Sequence, residues 1–346
     1  MALLPNEIDD FVELTQPNFK RRKWTDFSLN LQRYVSAKLI QEKHLKERGG
    51  PQVDFKVQHS NTGTARNTGM YGIDVTKVKD LADNGIVPWS MQTVNWSYDI
   101  YEDIFQTDNE TIVRELIMRE HAAYNDMAEL NEENFWSMPS SSANVERRPF
   151  GVPYWIVKNA SSSIGFNGGN PTGFSGGAAG IDSNTYTNWR NYSFGYTNVT
   201  RDDLVKKVKQ SIEFTNFIPP HAYPELKFSD APCEMFSTYR VTEPLEALAE
   251  SRNDNLGADL ARYMGKVTIG GCPISWVPYL ENNDTSDPVY GINWSYWRPY
   301  VKKGCNMRKN PPKPAAHQHT VRECHIDTWM QFICVNRRAM FVGSKS

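Results

Sequence analysis

The chain is poor in cysteine. Its cysteines, Cys233, Cys272, Cys305, Cys324 and Cys334, are odd in number, widely spaced and include no C-x-x-C pair. This pattern excludes a disulfide framework or a zinc knuckle as the organising device and points to folding in a reducing compartment. No apolar run approaches the ~18 residues that mark a membrane-spanning helix. The opening stretch MALLPNEIDDF lacks the basic start and apolar centre of a signal peptide. An excess of one charge is missing too: 38 Lys and Arg stand against 40 Asp and Glu, a formal net charge of −2. No global basic field calls for nucleic acid, and no acidic excess suggests a disordered tail. No internal repeat is present.

What the chain has is aromatic surface. Aromatics make up 12% of its 346 residues, with ten Trp. The length suggests about two domains. Such an aromatic content fits a chain with much area to bury, in cores or between subunits.

The stretch GFSGGAAG, residues 173–180, contains the hydrolase pattern G-x-S-x-G around Ser175. A nucleophile elbow needs a buried strand before it and a helix after it. The flanks SSSIGFNGGNPT and AAGIDSNTYTNW supply turn formers instead. No Gly-Lys-Ser/Thr follows, so a phosphate cradle is excluded as well. The reading is a long, mobile surface loop. The other chemistry-bearing residues are equally bare. His317, His319, Cys324 and His325 are metal-type ligands without a supporting second motif. They read as a polar loop entering a strand. His121 has no orienting partner near it in sequence and reads as a satisfied side chain. No catalytic residue, metal or cofactor is expected.

Periodicity gives the elements. A short amphipathic helix is expected at 26–46, ended by Gly49-Gly50-Pro51. Val53, Phe55 and Val57 alternate with polar residues as a strand. After a polar excursion, Val94, Trp96, Tyr98 and Ile100 mark a second strand over 86–105. Together they read as one long hairpin, which is marginal without a neighbour. Residues 108–136 form the strongest helix, with Asp108 as candidate N-cap. At ~1.5 Å per residue it extends roughly 40 Å. Phe150 to Val157 reads as a turn into a short strand. Residues 201–215 form a helix capped by Thr200, with Asp203 at the capping-box position. Arg252 to Met264 reads as helical. Lys266 to Tyr279 reads as two strands around Gly270-Gly271, and residues 304–319 as a polar loop. DTWMQFICVNRRAMFVG, 327–343, reads as one buried central strand.

This order of elements, with GIVPW, GGAAGIDSNTYTNWRN, TNFIPP, VYGINWSYWRP and QFICVNRRAMFV, resembles the major capsid proteins of tailed double-stranded-DNA bacteriophages. These carry the α+β fold named after phage Hong Kong 97. The resemblance runs over roughly 50–346. It implies an N-terminal arm at 1–50, an extended loop hairpin at 51–105, and a spine helix with peripheral domain at 106–149. An axial domain at about 150–300 and a return to the peripheral domain with terminal strands at 301–346 complete it. The implied function is a structural subunit of hexamers and pentamers in an icosahedral shell, in the virion, assembled in the host bacterial cytoplasm. The implied partners are copies of itself, a portal protein, possible scaffold and decoration or cement proteins, and non-specifically held double-stranded DNA. Trp24, Phe27, Tyr34, Arg66, Tyr71 and Trp89 are the candidate inter-subunit contacts. Lys20, Arg21, Arg22 and Lys23 are the candidate DNA-facing run. An encapsulin-like nanocompartment shell, and a β-rich carbohydrate-binding protein or hydrolase, are the alternatives.

Overall fold

In the computed structural model the described residues are 34–36, 45–70, 78–101, 109–141, 148–159, 164–215, 233–250 and 267–346. The expected helix at 26–46, apart from Tyr34–Ser36, lies largely outside them, as do Asp108 and the helix expected at 252–264.

Alternation of buried and exposed residues builds three sheets. β1 (Lys46–Arg48) pairs in parallel with β11 (Trp297–Lys302). β2 (Gln52–Gln58) and β3 (Ala82–Pro88) form a two-stranded antiparallel hairpin. β4 (Ser90–Asp99) leaves that hairpin and pairs with β14 (Gln318–Cys334). The expected single strand over 86–105 is therefore two, broken at Trp89. The reason lies in β4's side chains. Trp96 and Tyr98 are buried, and with Val94 and Cys324 they pack on Leu116 and Ala123 of α1 (Asn109–Phe135). A free hairpin would leave that face in water, at about 25 cal/mol per Å² of apolar surface.

β14 is the axis of this six-stranded sheet. Met330 is paired with both Val301 and Ser90, Ile326 with Lys309 and Val94, and Glu323 with Lys313 and Ser97. β4 thus lies along one edge of β14. Along the other edge follow β11, β12 (Arg308–Lys309) and β13 (Lys313–Ala315). The expected polar loop at 304–319 is held to the sheet by these two short strands.

A seven-stranded mixed sheet follows the order β5-β6-β15-β10-β7-β9-β8. Its strands are β5 (Gly165–Gly168), β6 (Asn191–Tyr196), β7 (Cys233–Ser237), β8 (Thr268–Ile269), β9 (Cys272–Trp276), β10 (Val289–Asn293) and β15 (Phe341–Lys345). The expected strands around Gly270-Gly271 are β8 and β9. Two helices, α3 (Lys206–Thr215) and α4 (Tyr239–Glu250), cover one face. Leu204, Val208, Ile212, Val241 and Leu245 pack there on Tyr192, Phe194 and Tyr196. α3 begins with a π-turn, Arg201–Val205, and Thr200 Oγ1 accepts from the Asp203 amide at 3.3 Å. The Asp203 carboxylate reaches further, to the amides of Thr197 (2.8 Å) and Asn198 (3.0 Å) and to Lys207 (2.6 Å).

Two further expectations are corrected. Phe150–Val157 is not a strand: Val152–Trp155 form a helical turn, α2, with proline at its start, where its missing N–H costs nothing. The apolar run 327–343 is two strands. β14 ends at Cys334, a short turn spans Arg337–Ala339, and β15 enters the other sheet between β6 and β10. A last short helix, α5, spans Pro278–Asn283. No described helix is long and apolar enough to cross a membrane.

Candidate assembly surface

The base of the β2–β3 hairpin is part of the main core. Val53 faces Val87, and both are fully buried. Trp89, 4% exposed, donates from Nε1 to the Gly50 carbonyl at 3.0 Å. The Phe55 ring meets Trp155 and Trp189 at 6.3 and 6.4 Å. The His59 ring lies on Tyr186 at 4.3 Å. Beyond this point the chain leaves the body. Residues 61–70 are all exposed, and Met70 and Val78 present essentially their whole side chains to solvent. The two limbs are tied by Ser60 Oγ donating to Asp80 O at 3.0 Å and His59 N to Leu81 O at 3.0 Å. The hairpin is thus packed on the body at its root, while its described residues 61–70 and Val78 are exposed.

The glycine-rich stretch contributes to that packed root, and it is not the mobile surface loop that its composition suggested. Phe174, Ala178, Ala179 and Ile181 are buried. Phe174 meets Tyr154 edge-on at 4.9 Å. The Ala179 amide donates to Tyr154 Oη at 2.8 Å, and the Ala179 carbonyl accepts from Ile86 of β3 at 3.0 Å. Gly177 has φ +84°, and a Cβ there would sit 2.0 Å from the Ile181 carbonyl oxygen. Gly177, and Gly173, where a Cβ would sit 2.3 Å from the Ser140 carbonyl oxygen, therefore serve close packing, whereas Gly176 and Gly180 face open space. Burial pushes the Tyr154 phenol up to about 12. Ser175 is exposed in a turn, with neither the strand nor the helix of a nucleophile elbow beside it.

Arg337 holds the same junction from the other side. It is fully buried. Its Nε donates to Trp155 O at 2.7 Å, Nη1 to Trp189 O at 3.0 Å and Nη2 to Gly169 O at 2.8 Å. Nη2 also reaches Asn191 Oδ1 at 3.3 Å. Burial lowers its pKa to about 10, still charged at neutral pH. Composition gave no sign of this residue. The available signal was positional: a charged pair, Arg337-Arg338, interrupting an apolar run.

Tyr34–Ser36 meet α1. Glu132, fully buried, accepts from the Ser36 amide and Ser36 Oγ, both at 2.8 Å, and from Trp136 Nε1 at 2.7 Å. Tyr34 Oη donates to Glu129 at 3.4 Å.

The residues singled out from sequence are scattered. Trp89 lies in the core of its own chain, Tyr34 is half-buried on α1, and Arg66 is exposed in the hairpin excursion. Trp24, Phe27, Tyr71 and Lys20–Lys23 lie outside the described residues. His121 is 9% exposed, with Nδ1 3.3 Å from Asn125 Nδ2. Cys324 faces α1, whereas the next residue in the strand, His325, points to the opposite face, 3.6 Å from Glu323. Among the described residues no group of three or more His, Cys, Asp or Glu side chains could hold a metal ion.

Neither a family model nor a curated protein sequence matches the chain. Solved structures do match in fold. The cyanophage A-1(L) capsid asymmetric unit aligns with a TM-score of 0.63 at 10% identity, covering 95% of this chain and 98% of that one. A capsid of a native GTA particle aligns with a TM-score of 0.50 at 10% identity, covering 96% and 98%. The capsid of the myovirus phage XM1 aligns with a TM-score of 0.50 at 9% identity, covering 93% and 97%. Over nearly its whole length the chain has the α+β fold of these phage capsid proteins, the Hong Kong 97 type.

Proposed function

We propose that this chain is the major capsid protein of a tailed double-stranded-DNA bacteriophage, a structural rather than catalytic protein that assembles with copies of itself into hexamers and pentamers of an icosahedral shell. The observation that carries the reading is end-to-end agreement in fold with a capsid subunit, 95% of one chain on 98% of the other. The hairpin supports it independently. A projecting limb with Met70 and Val78 bare at its tip recovers the cost of ordering its backbone only against another surface. Many modest contacts of this kind, repeated around a closed lattice, give large avidity.

On this reading residues 1–50 are the arm, and the projecting loop runs from 51 to Pro88 rather than to 105, because β4 belongs to the six-stranded sheet. That sheet with α1 is the peripheral domain, and the seven-stranded sheet is the axial domain. Location in the virion follows, with double-stranded DNA, a portal and scaffold or decoration proteins as further partner classes. Negative-stain electron microscopy beside size-exclusion chromatography tests it. Closed shells, pentamers or hexamers are expected. A chain that stays monomeric at high concentration and under crowding would sink it. Shells filled with protein cargo and free of nucleic acid would redirect it to a nanocompartment.

A further inference from the structure

The charge of this chain is nearly balanced as a whole but not locally. Between Asp287 and Glu323 there is no acidic residue and there are seven Lys or Arg. The fold lays this stretch along one edge of β14 as β11, β12 and β13 in succession. The connections are held firmly. The Trp329 amide donates to Cys305 O at 3.1 Å, Met307 N to Thr328 Oγ1 at 3.0 Å and Asn310 N to His325 O at 2.9 Å.

Lys302, Lys309 and Arg322 have partners within the chain. Lys309 turns toward α1 and forms an ion pair with Glu120, and Lys302 lies over the Trp329 ring at 4.8 Å. Lys303, Arg308 and Lys313 are exposed and make no ion pair with any described residue. The carboxylates opposite them in register have other partners. Asp327 accepts from Asn310 Nδ2 at 2.6 Å, and Glu323 faces His325. Arg308 is opposite Asp327 and Lys313 opposite Glu323, so the two stand roughly 13 Å apart at ~3.3 Å per residue. Lys303 stands apart from this pair, in the turn that follows β11, one residue beyond the Lys302 that covers Trp329.

We infer that the exposed cations Lys303, Arg308 and Lys313 form a contact surface for the phosphate backbone of a nucleic acid. The composition of the surface decides between polyanions. Protein–protein interface cores are rich in aromatics and Met and poor in Lys. None of the exposed large hydrophobic residues falls between 302 and 322, and among those of β4 only Met91, opposite Trp329, shares this face of the sheet. What the surface offers beside its cations is Asn306, His317, Gln318 and His319, polar groups of the kind that accompany Lys and Arg at phosphates. The contact is sequence-independent, since none of the three enters a groove. The inference rests on the shell reading for the source of the polyanion, and it is separate from the candidate run Lys20–Lys23, which lies outside the described residues.

The test is fluorescence anisotropy of a labelled 24-base-pair DNA duplex with the full chain between ~50 and ~200 mM NaCl, the range over which counterion release is resolved. The variant is Lys303→Gln/Arg308→Gln/Lys313→Gln, with Lys313→Glu alone as a second, and circular dichroism confirms the fold of each. Loss of three phosphate contacts lowers the slope of log K against log salt by about 3, with a large drop in affinity at low salt. Unchanged slope and affinity in the triple variant overturn the inference. So does binding of poly-L-glutamate as tight as that of DNA and lost in the same variant, which makes the surface a seat for an acidic protein. Sedimentation of the parent chain separates the two readings. Shells with unaltered DNA binding in the variant sink this inference alone. A monomer that still loses DNA binding in the variant sinks the shell reading and leaves the phosphate surface standing.

Discussion

Arg337 Nε donates to the carbonyl of Trp155 at 2.7 Å, across 182 residues of chain. The same guanidinium holds the carbonyls of Trp189 and Gly169. One buried charge is thus divided among main-chain acceptors of α2, the turn before β6 and the segment after β5. Arg337→Met keeps much of the volume and leaves three carbonyls without their donor. At about 1–3 kcal/mol for each buried group left unsatisfied, a loss of roughly 3 kcal/mol or more is expected. Arg337→Lys recovers little, because one ammonium cannot reproduce the planar fork. Urea unfolding of the three proteins checks this, and equal midpoints would remove Arg337 from the account.

Gly291 and Phe341 make the second prediction. They are register partners of β10 and β15, and a Cβ on Gly291 would lie 2.1 Å from the Phe341 ring. Gly291→Ala is expected to cost about 1–3 kcal/mol through overpacking. Adding Phe341→Leu to it should recover part of the loss, although Phe341→Leu alone destabilises. A double-mutant cycle by thermal unfolding reads the coupling, and simple additivity would contradict the close approach.

Glu132 anchors the segment around Ser36. Glu132→Ala strips the acceptor from Ser36 and Trp136 at once, and about 2–4 kcal/mol is expected. The local signature is faster amide exchange at Ser36 with little change in β15. Uniform loss of protection across the whole chain would show instead that the carboxylate acts on global stability alone.

Stability should fall steeply on the alkaline side. Burial raises Tyr154 to about 12 and also raises Tyr192, Tyr196 and Tyr290. A folded pKa above the unfolded value of ~10 means that the unfolded chain loses its protons first. The stability these phenols contribute is complete below pH ~10 and drains away as pH climbs toward their folded values. Arg337, lowered to about 10 by burial, works in the opposite direction but is a single group. On the acid side, burial alone would raise Asp203, yet the amides of Asn198 and Thr197 and the Lys207 ammonium outweigh it and hold the carboxyl at about 2. Its contribution is present above pH ~4 and lost as pH falls toward 2. Unfolding midpoints from pH 3 to 11.5, with phenolate absorbance followed in parallel, check both limbs. A flat alkaline limb, or phenolate absorbance that reaches its full value for all 16 tyrosines before unfolding, contradicts the burial of these rings.

Elements with a strong period were legible in the sequence: α1, α3, β2 and the β8–β9 turn. What could not be read was partnership. Val94, Trp96 and Tyr98 announce a strand, but nothing in their spacing says that its partner is β14, more than 220 residues away, rather than β2. The apolar run 327–343 hides a change of sheet, because both halves are buried and only Asn336-Arg337-Arg338 breaks the pattern. Glycine content misled most. GFSGGAAG reads as mobile by composition, yet Phe174, Ala178 and Ala179 are buried and Gly173 and Gly177 make room for closely packed backbone. The candidate contacts fared unevenly for a related reason. An aromatic such as Trp89 carries the same signal whether it faces a neighbour or its own core.

The strands β14 and β15 also set a schedule. Each occupies an interior position in its sheet, so β4 has no partner until residues 318–334 exist, and β6 and β10 have none between them until 341–345 follow. A nascent chain cannot close either sheet while those residues are still inside the ribosome. The six-stranded sheet can therefore close only after Cys334 has been made, and the seven-stranded sheet only after Lys345. On the proposed shell function, the same order of synthesis would keep a chain lacking either strand out of the lattice.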